Sequence, residues 1–513
     1  MKNTKTIYIV AMSLLILGTS LAILLLTATI WLLNTWDVVD FNQLLFHLVV
    51  PLGGTDPAFI WSFVWQVIPF VLLPLILGTF ILMKSLKNDQ MKKKNILAAS
   101  FGVWVITMFV ALNYAWFALD IGTFVANQRD ASTFIVDHYV DPRSVEITFP
   151  EQPRNLIYIY LESVETTFMS VEEGGSFEVN LIPELTYLAQ QHVSFSGTDL
   201  IGGGFSTFGT TWTMGGMFAQ TSGLPLILPL SNVNAMDRQE VFMPEIMTLG
   251  GILEEQGYRQ VVMMGSDATF GGRRNYFTQH GNYEIWDLHT ARELGRIPPD
   301  YFVFWGFEDE LLFEFAQDKL TELGEGDQPF NFTMLTVDTH FEDGFVSEIC
   351  EQFDEFSEQK ANVLACSSWQ VYEFVRWIQA QPWYYNTTIV IVADHLTMQT
   401  MGSSFWEYTS TYAAAAADLS LHSPYRTVYN VIINPAREPM ITNGRPWSTL
   451  DMFPTTLSSL GVNIEGDRLG LGVNLFSDQE TLVSQFGIEY LNQELQRRSL
   501  FFENFTRDIV VDE

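Results

Sequence analysis

Three long apolar runs occupy most of the first 119 residues, and a different pattern follows them. Residues 7–36 (IYIVAMSLLILGTSLAILLLTATIWLLNTW), 60–83 (IWSFVWQVIPFVLLPLILGTFILM) and 97–119 (LAASFGVWVITMFVALNYAWFAL) carry no charge. Each meets the roughly 20 residues that an α-helix needs to cross a bilayer. They predict transmembrane helices over about 7–33, 60–83 and 97–119. Pro69 and Pro74 fall inside the second, where neighbouring helices can re-satisfy the freed carbonyls. The first run is about twice as long as the apolar core of a signal peptide, and no clear small-residue cleavage site follows it. A retained helix is therefore expected. Between the first two runs, FNQLLFHLVVPLGGTD (41–56) is apolar but too short to span. It predicts an interfacial segment on the outer membrane surface.

Beyond residue 119 the apolar runs shorten and become β-rich. NLIYIYLES (155–163), YRQVVMMGS (258–266), FNFTMLTVDTH (330–340) and TTIVIVADH (387–395) each end in polar or small residues. Helical stretches separate them, such as 243–257 and 367–381. Continuous apolar strands alternating with helices predict an α/β fold with a mostly parallel central sheet and flanking helices. The expected organisation is a membrane anchor over 1–119, a linking arm over 120–154, an α/β domain over 155–480 and a C-terminal extension over 481–513. Ala413–Ala417 form a low-complexity run with no evident reading.

Charge adds a topology. The 513 residues contain 26 Lys and Arg against 59 Asp and Glu, a net of −33. Residues 1–118 hold seven Lys and four Asp, leaving 19 basic and 55 acidic side chains beyond them, a net of −36. So acidic a domain excludes a phosphate-neutralising nucleic-acid surface. The 84–95 loop has five Lys, whereas the 37–58 loop has three Asp and neither Lys nor Arg. The positive-inside rule then predicts a multi-pass membrane protein with its N-terminus and lysine loop on the cytoplasmic side of the membrane and everything after about residue 120 outside. The two cysteines, Cys350 and Cys366, both lie in that exported part and are expected to form a disulfide.

In parallel α/β sheets, ligands bind beyond the carboxyl ends of the strands. Glu162, Asp338, His340, Asp394 and His395 all fall at such ends. Glu, Asp and His together suit a divalent metal of intermediate hardness. Each residue alone has a plainer reading as a helix cap or a polar turn.

The segments NLIYIYLES, GTTWTMGGMFAQTSGLPL, TVDTHFEDGF, IVIVADHLTM and STLDMFPTTLSSLGV…GDRLGLGVNL together resemble the sulfatase-like phosphoglycerol transferases of the alkaline phosphatase superfamily. This group includes enzymes that decorate periplasmic glucans and the lipoteichoic acid synthases. The resemblance covers about residues 135–480. It implies that Glu162, Asp394 and His395, together with a threonine nucleophile, hold one divalent metal, with manganese first and magnesium or zinc as alternatives. The turn GTTWT matches at Thr210, and Thr211 competes with it because the glucan enzymes usually show glycine there. His340 matches a substrate-side histidine with a catalytic role, and Arg273 has the spacing of a substrate-binding arginine. Met264 and Gly271 stand where teichoic acid synthases carry His and Trp, which favours a glucan-type acceptor. Neither cysteine lies in the C/S-x-P-x-R motif of true sulfatases, which argues against sulfate esters as substrates. The implied reaction moves glycerophosphate from phosphatidylglycerol to an extracytoplasmic glycan or polyol through a phosphothreonine. Alternatives are a hydrolase of phosphodiesters or sulfate esters, a lipoteichoic acid synthase, and a non-catalytic scaffold.

Overall fold

A computed structural model of the chain describes residues 2–36, 41–49, 53–227, 242–399, 403–409 and 426–507. The Ala413–Ala417 run lies outside the described residues. The chain divides into two compact units, one of residues 1–41 and 55–128, the other of residues 42–54 and 129–513.

Among the described residues, the first unit contains three helices long and apolar enough to cross a membrane. They are α1 (Lys2–Thr35), α3 (Pro57–Ser85) and α4 (Gln90–Ala118). Asp56 caps α3 by accepting from the Ala58 amide, and Asp89 caps α4 through the Lys92 amide. Pro69 and Pro74 sit inside a continuous α3, as expected. The Tyr8 hydroxyl donates to Ser85 Oγ at 2.8 Å and ties α1 to the end of α3.

The second unit is built on a six-stranded sheet. Its strands are β1 (Asn155–Leu161), β2 (Arg259–Met264), β3 (Glu284–Trp286), β4 (Phe330–Leu335), β5 (Thr387–Ala393) and β6 (Asn430–Ile433). Their order is β3-β2-β4-β1-β5-β6, all parallel except β6, which runs antiparallel to β5. Every residue of β1, β4 and β5 is buried. A strand buried throughout is covered on both faces of the sheet, which is why its sequence reads as an unbroken apolar run. Register brings the ends of β1, β4 and β5 level: Tyr160 pairs with Leu335 and Val392, and Leu161 with Ala393.

Three sequence expectations change. First, residues 129–154, read as a linking arm, belong to the second unit: Ala131–Ser132 pairs with Arg498–Ser499, and Ile147–Thr148 with Asn463–Ile464. Second, that pairing also brings the C-terminal extension into the same unit. Third, α2 (Phe41–Val49), expected on the membrane surface, places its central ring inside this unit instead. Phe46 is fully buried with its centroid 5.6 Å from that of Trp212, and Asn42 donates to the Leu226 carbonyl. The expected disulfide is present between Cys350 and Cys366, with Cα atoms 5.5 Å apart.

Candidate active site

The backbone just past β1 turns sharply, with Ser163 in the left-handed region at φ 58°. This turn aims Glu162 at the end of the neighbouring strand β5. The Ser163 hydroxyl donates to Glu162 Oε1 at 2.7 Å, and the Ser163 amide donates to Asp394 Oδ1 at 2.9 Å. The His395 amide donates to the same oxygen at 2.8 Å. His395 Nδ1 donates to the Leu396 carbonyl at 2.7 Å, which turns Nε2 toward the carboxylates as the atom that can hold either a proton or a metal. Nε2 lies 3.4 Å from both Glu162 Oε1 and Asp394 Oδ2.

The three side chains are buried, and their ligand atoms lie within 4.8 Å of one another. Asp394 Oδ2 is buried without a hydrogen-bond partner among the described residues. An orphaned carboxylate oxygen is costly unless something positive meets it. Two carboxylates and an imidazole lone pair around such an atom fit a divalent cation. The electrostatics agree. Burial opposes ionisation of Glu162, but His340 and His395 outweigh it and hold its pKa well below the usual carboxylate range. Burial and the nearby Glu162 charge push Asp394 up to about 7. Burial disfavours charge on His395, yet Asp394 and Glu162 raise its pKa to about 9. Without a metal, the cluster takes up protons in its place.

The threonine turn corrects the sequence reading. Thr210 Oγ1 accepts from the Thr207 amide at 2.8 Å and donates to the Thr207 carbonyl at 3.0 Å. It is fully buried, with Thr449 Oγ1 at 3.4 Å, and its hydroxyl closes the turn rather than facing the carboxylates. Thr211 Oγ1 is buried and makes no hydrogen bond among the described residues. The hydroxyl at the cluster is that of Thr213, 3.5 Å from Glu162 Oε2 and 3.4 Å from His395 Nε2. Thr213 is the first residue of α5 (Thr213–Ser222), so the free amides of a helix N-terminus adjoin it. Gly216 allows this placement, because a Cβ built there would lie 2.0 Å from the Asp394 carbonyl oxygen. The helix therefore rests directly on the strand end that carries Asp394 and His395. Gln220, donating to the Ala393 carbonyl at 2.9 Å, fixes its next turn to the same strand.

Arg273 and His340 flank the cluster. Arg273 opens α6 (Arg273–Gln279) and donates to the Phe270 and Asp267 carbonyls and to Ser266 Oγ. Burial lowers its pKa to about 10 against the pull of Glu162, Asp267, Asp287 and Asp394, so it remains a cation. His340 is half-buried and its Nδ1 faces the Phe341 carbonyl at 2.5 Å, leaving Nε2 without a hydrogen-bond partner among the described residues. Burial lowers its pKa despite Glu162. Asp338 takes no part in the cluster. It accepts from the Asp309 amide while Asp309 accepts from the Val337 and Asp338 amides, which fastens the 336–340 loop to the start of α7 (Asp309–Gly324).

Sequence reasoning missed two further groups. Lys360, at the start of α8 (Gln359–Gln379), is fully buried and donates to the Thr339 carbonyl, while Thr339 Oγ1 donates to the Glu162 carbonyl at 2.5 Å. Burial pulls this lysine down to about 8 against the nearby Glu162. Arg426 and Glu165 form a buried pair, with Nε to Oε2 at 2.8 Å, and Arg426 also donates to the Thr397 carbonyl. Together they link the loops after β1 and β5. A lysine one position from Ala361, on the face that also carries Val363, Leu364, Val371 and Phe374, was the visible signal for the first. The second pairs residues 261 positions apart and had none.

The family model described as sulfatase matches residues 154–462. A phosphoglycerol transferase I of Citrobacter koseri is 34% identical over 289 residues, 55% of this chain and 35% of its own length. One of Salmonella choleraesuis is 31% identical over 361 residues, 69% of this chain and 43% of its own. The chain thus spans less than half the length of these relatives. The crystal structure of the lipoteichoic acid synthase LtaP from Listeria monocytogenes matches with a TM-score of 0.52 at 14% identity, over 75% of this chain and 100% of that one. This likeness is one of fold.

Proposed function

The chain belongs to the sulfatase family, and on that premise we propose that it is a phosphoglycerol transferase whose nucleophile is Thr213. The supporting observation is the Thr213 hydroxyl at a helix N-terminus, facing Glu162 and His395. Glu162, Asp394 and His395 would hold one divalent metal, manganese by preference, which lowers the threonine pKa and offsets phosphoryl charge when bound. The donor is phosphatidylglycerol, the acceptor an extracytoplasmic glycan hydroxyl. The three apolar helices are the membrane anchor, with the lysine loop in the cytoplasm and the second unit outside.

Two in-line displacements carry the reaction. In the first, Thr213 Oγ bonds to phosphorus and the bond from phosphorus to the diacylglycerol oxygen breaks. The threonine proton ends on the departing oxygen, relayed by His340 Nε2. In the second, the acceptor oxygen bonds to phosphorus, the Thr213 Oγ–phosphorus bond breaks, and the acceptor's proton returns to Thr213 by the same relay. Arg273 grips a phosphate oxygen. The α5 amides favour the same anion.

The test is diacylglycerol release from phosphatidylglycerol by purified protein with and without divalent metal. Release only with metal, accompanied by glycerophosphate appearing on added glucan, supports the reading. Release unaffected by chelator overturns it. Free glycerophosphate alone, with glucan present, makes the protein a hydrolase.

A further inference from the structure

Trp305 stands at the tip of a tight hairpin. Val303 and Gly306 exchange both backbone hydrogen bonds at 2.8 Å, leaving Phe304 and Trp305 as the two tip residues. Phe304 has φ 48°. Positive φ at the first tip position is the place that glycine ordinarily takes in such turns. A bulky aromatic residue held there is strained, and such strain gathers at functional sites. The hairpin cannot swing away, because Gly306 bridges Ser266 and a Cβ on it would lie 2.0 Å from the Gly265 carbonyl oxygen. Ser266 is also the side chain that receives Arg273 Nη2. The turn is thus fastened to the backbone that holds the proposed phosphate-gripping cation.

The tip points its ring at the proposed proton relay. The Trp305 centroid lies 4.7 Å from that of His340 and 5.3 Å from that of Phe270. The Arg273 guanidinium covers Phe270 at 5.6 Å from its centroid. Phe304 stacks at 6.0 Å on Phe345. The order across the site is therefore Arg273, Phe270, Trp305, His340. Trp305, Phe304 and Phe345 are only half-buried, so ring surface remains available to a ligand.

We propose that Trp305 is the platform for the acceptor and that the acceptor it selects is a six-membered sugar ring. The inference rests on the transferase reading above. In the two displacements the acceptor oxygen takes the place that the departing oxygen leaves beside His340 Nε2, so Trp305, packed on His340, lies on the side from which the second substrate enters. The face of an aromatic ring is electron-rich and attracts the polarised C–H bonds that line one face of a sugar ring. A sugar seated by that face turns its hydroxyl edge outward, toward His340 Nε2. A three-carbon polyol has no such face to offer. A rigid, pre-placed indole also orders the sugar at little entropic cost.

The experiment uses the full-length protein in detergent with divalent metal, a series of glucan oligosaccharides, glycerol as a competing acceptor, and phosphatidylglycerol as donor. Calorimetric titration of the oligosaccharide alone gives a readout that needs no turnover. In Trp305→Leu, which keeps an apolar side chain but removes the ring face, the oligosaccharide KM rises about tenfold more than the donor KM, and the calorimetric signal disappears. In Trp305→Phe, which keeps a ring face, most of both is retained. Equal rises in the donor and acceptor KM, or equal effects of the two substitutions, overturn the platform. A glycerol KM that rises as much as the oligosaccharide KM overturns the sugar assignment. If the wild type releases no diacylglycerol, the transferase reading fails. Oligosaccharide binding that is lost in Trp305→Leu and kept in Trp305→Phe would still stand as a sugar site.

Discussion

Gly216→Ala tests whether the nucleophile helix must rest directly on the metal-ligand strand end. The added methyl would meet the Asp394 carbonyl oxygen at 2.0 Å. An ordinary contact of this kind is about 3.3 Å, so α5 must retreat by about 1.3 Å or the end of β5 must give way. Neither moves easily. The helix is tied to the Ala393 carbonyl through Gln220, and Asp394 Oδ1 holds the Ser163 and His395 amides. Overpacking of this kind costs about 1–3 kcal/mol of stability. The loss of activity is disproportionate, because a 1 Å displacement of a catalytic group lowers turnover by about 100-fold. The assay pairs thermal unfolding with diacylglycerol release per folded molecule. Gly251→Ala is the control. It lies in the helix Leu249–Glu255, and its nearest neighbour would be the flexible Met247 sulfur at 3.3 Å. Alanine there should cost nothing and can add about 0.5–1 kcal/mol, since glycine is the poorer helix former. If Gly216→Ala keeps near wild-type turnover, Thr213 does not depend on that contact and the proposed placement of the nucleophile is wrong.

Three further outcomes follow from the same geometry. Thr210→Ala should lower stability by about 1–3 kcal/mol through the two lost hydrogen bonds to Thr207, yet leave formation of the covalent adduct intact; loss of the adduct would return the nucleophile to Thr210. Metal affinity should rise with pH. The metal must displace the proton that His395 binds with a pKa of about 9, and below neutrality also that of Asp394 at about 7. The association constant should therefore climb about tenfold per unit between pH 7 and 9, more steeply below 7, and level off above 9; titrations in buffers of different ionisation enthalpy would detect the released proton, and a pH-independent affinity would refute the ligand set. Arg426→Met leaves the Glu165 carboxylate buried without its counter-charge, which should cost about 3–5 kcal/mol in thermal or denaturant unfolding, whereas Arg426→Met with Glu165→Gln, which removes the charge but keeps an acceptor for the Thr397 amide, should recover most of it.

The long apolar strands and the three apolar helices were legible in the sequence because burial on both faces, or in lipid, leaves continuous runs that need no tertiary information. Strands β3 and β6 escaped because three or four residues make no pattern. The cluster of Glu162, Asp394 and His395 was legible because parallel strands in register bring residues after equivalent apolar runs to one level. Which threonine faces the cluster was not. Thr210, Thr211 and Thr213 differ only in where a helix begins, and Trp212 as the residue before its first turn decides it. The pattern of α2 showed an apolar face but not that Phe46 would meet Trp212, 166 positions away in sequence. The same holds for the pairing of residues 131–132 with 498–499. Sequence periodicity reports that a surface is buried, and only the fold reports against what.

The most direct measurement is mass spectrometry of the protein after brief mixing with phosphatidylglycerol and divalent metal, without acceptor, followed by acid quench and peptide mapping. The account predicts a glycerophosphoryl group on Thr213, absent in Thr213→Ala and removed on adding glucan. Modification of Thr210 or Thr211, or diacylglycerol release by Thr213→Ala at the wild-type rate, would contradict it.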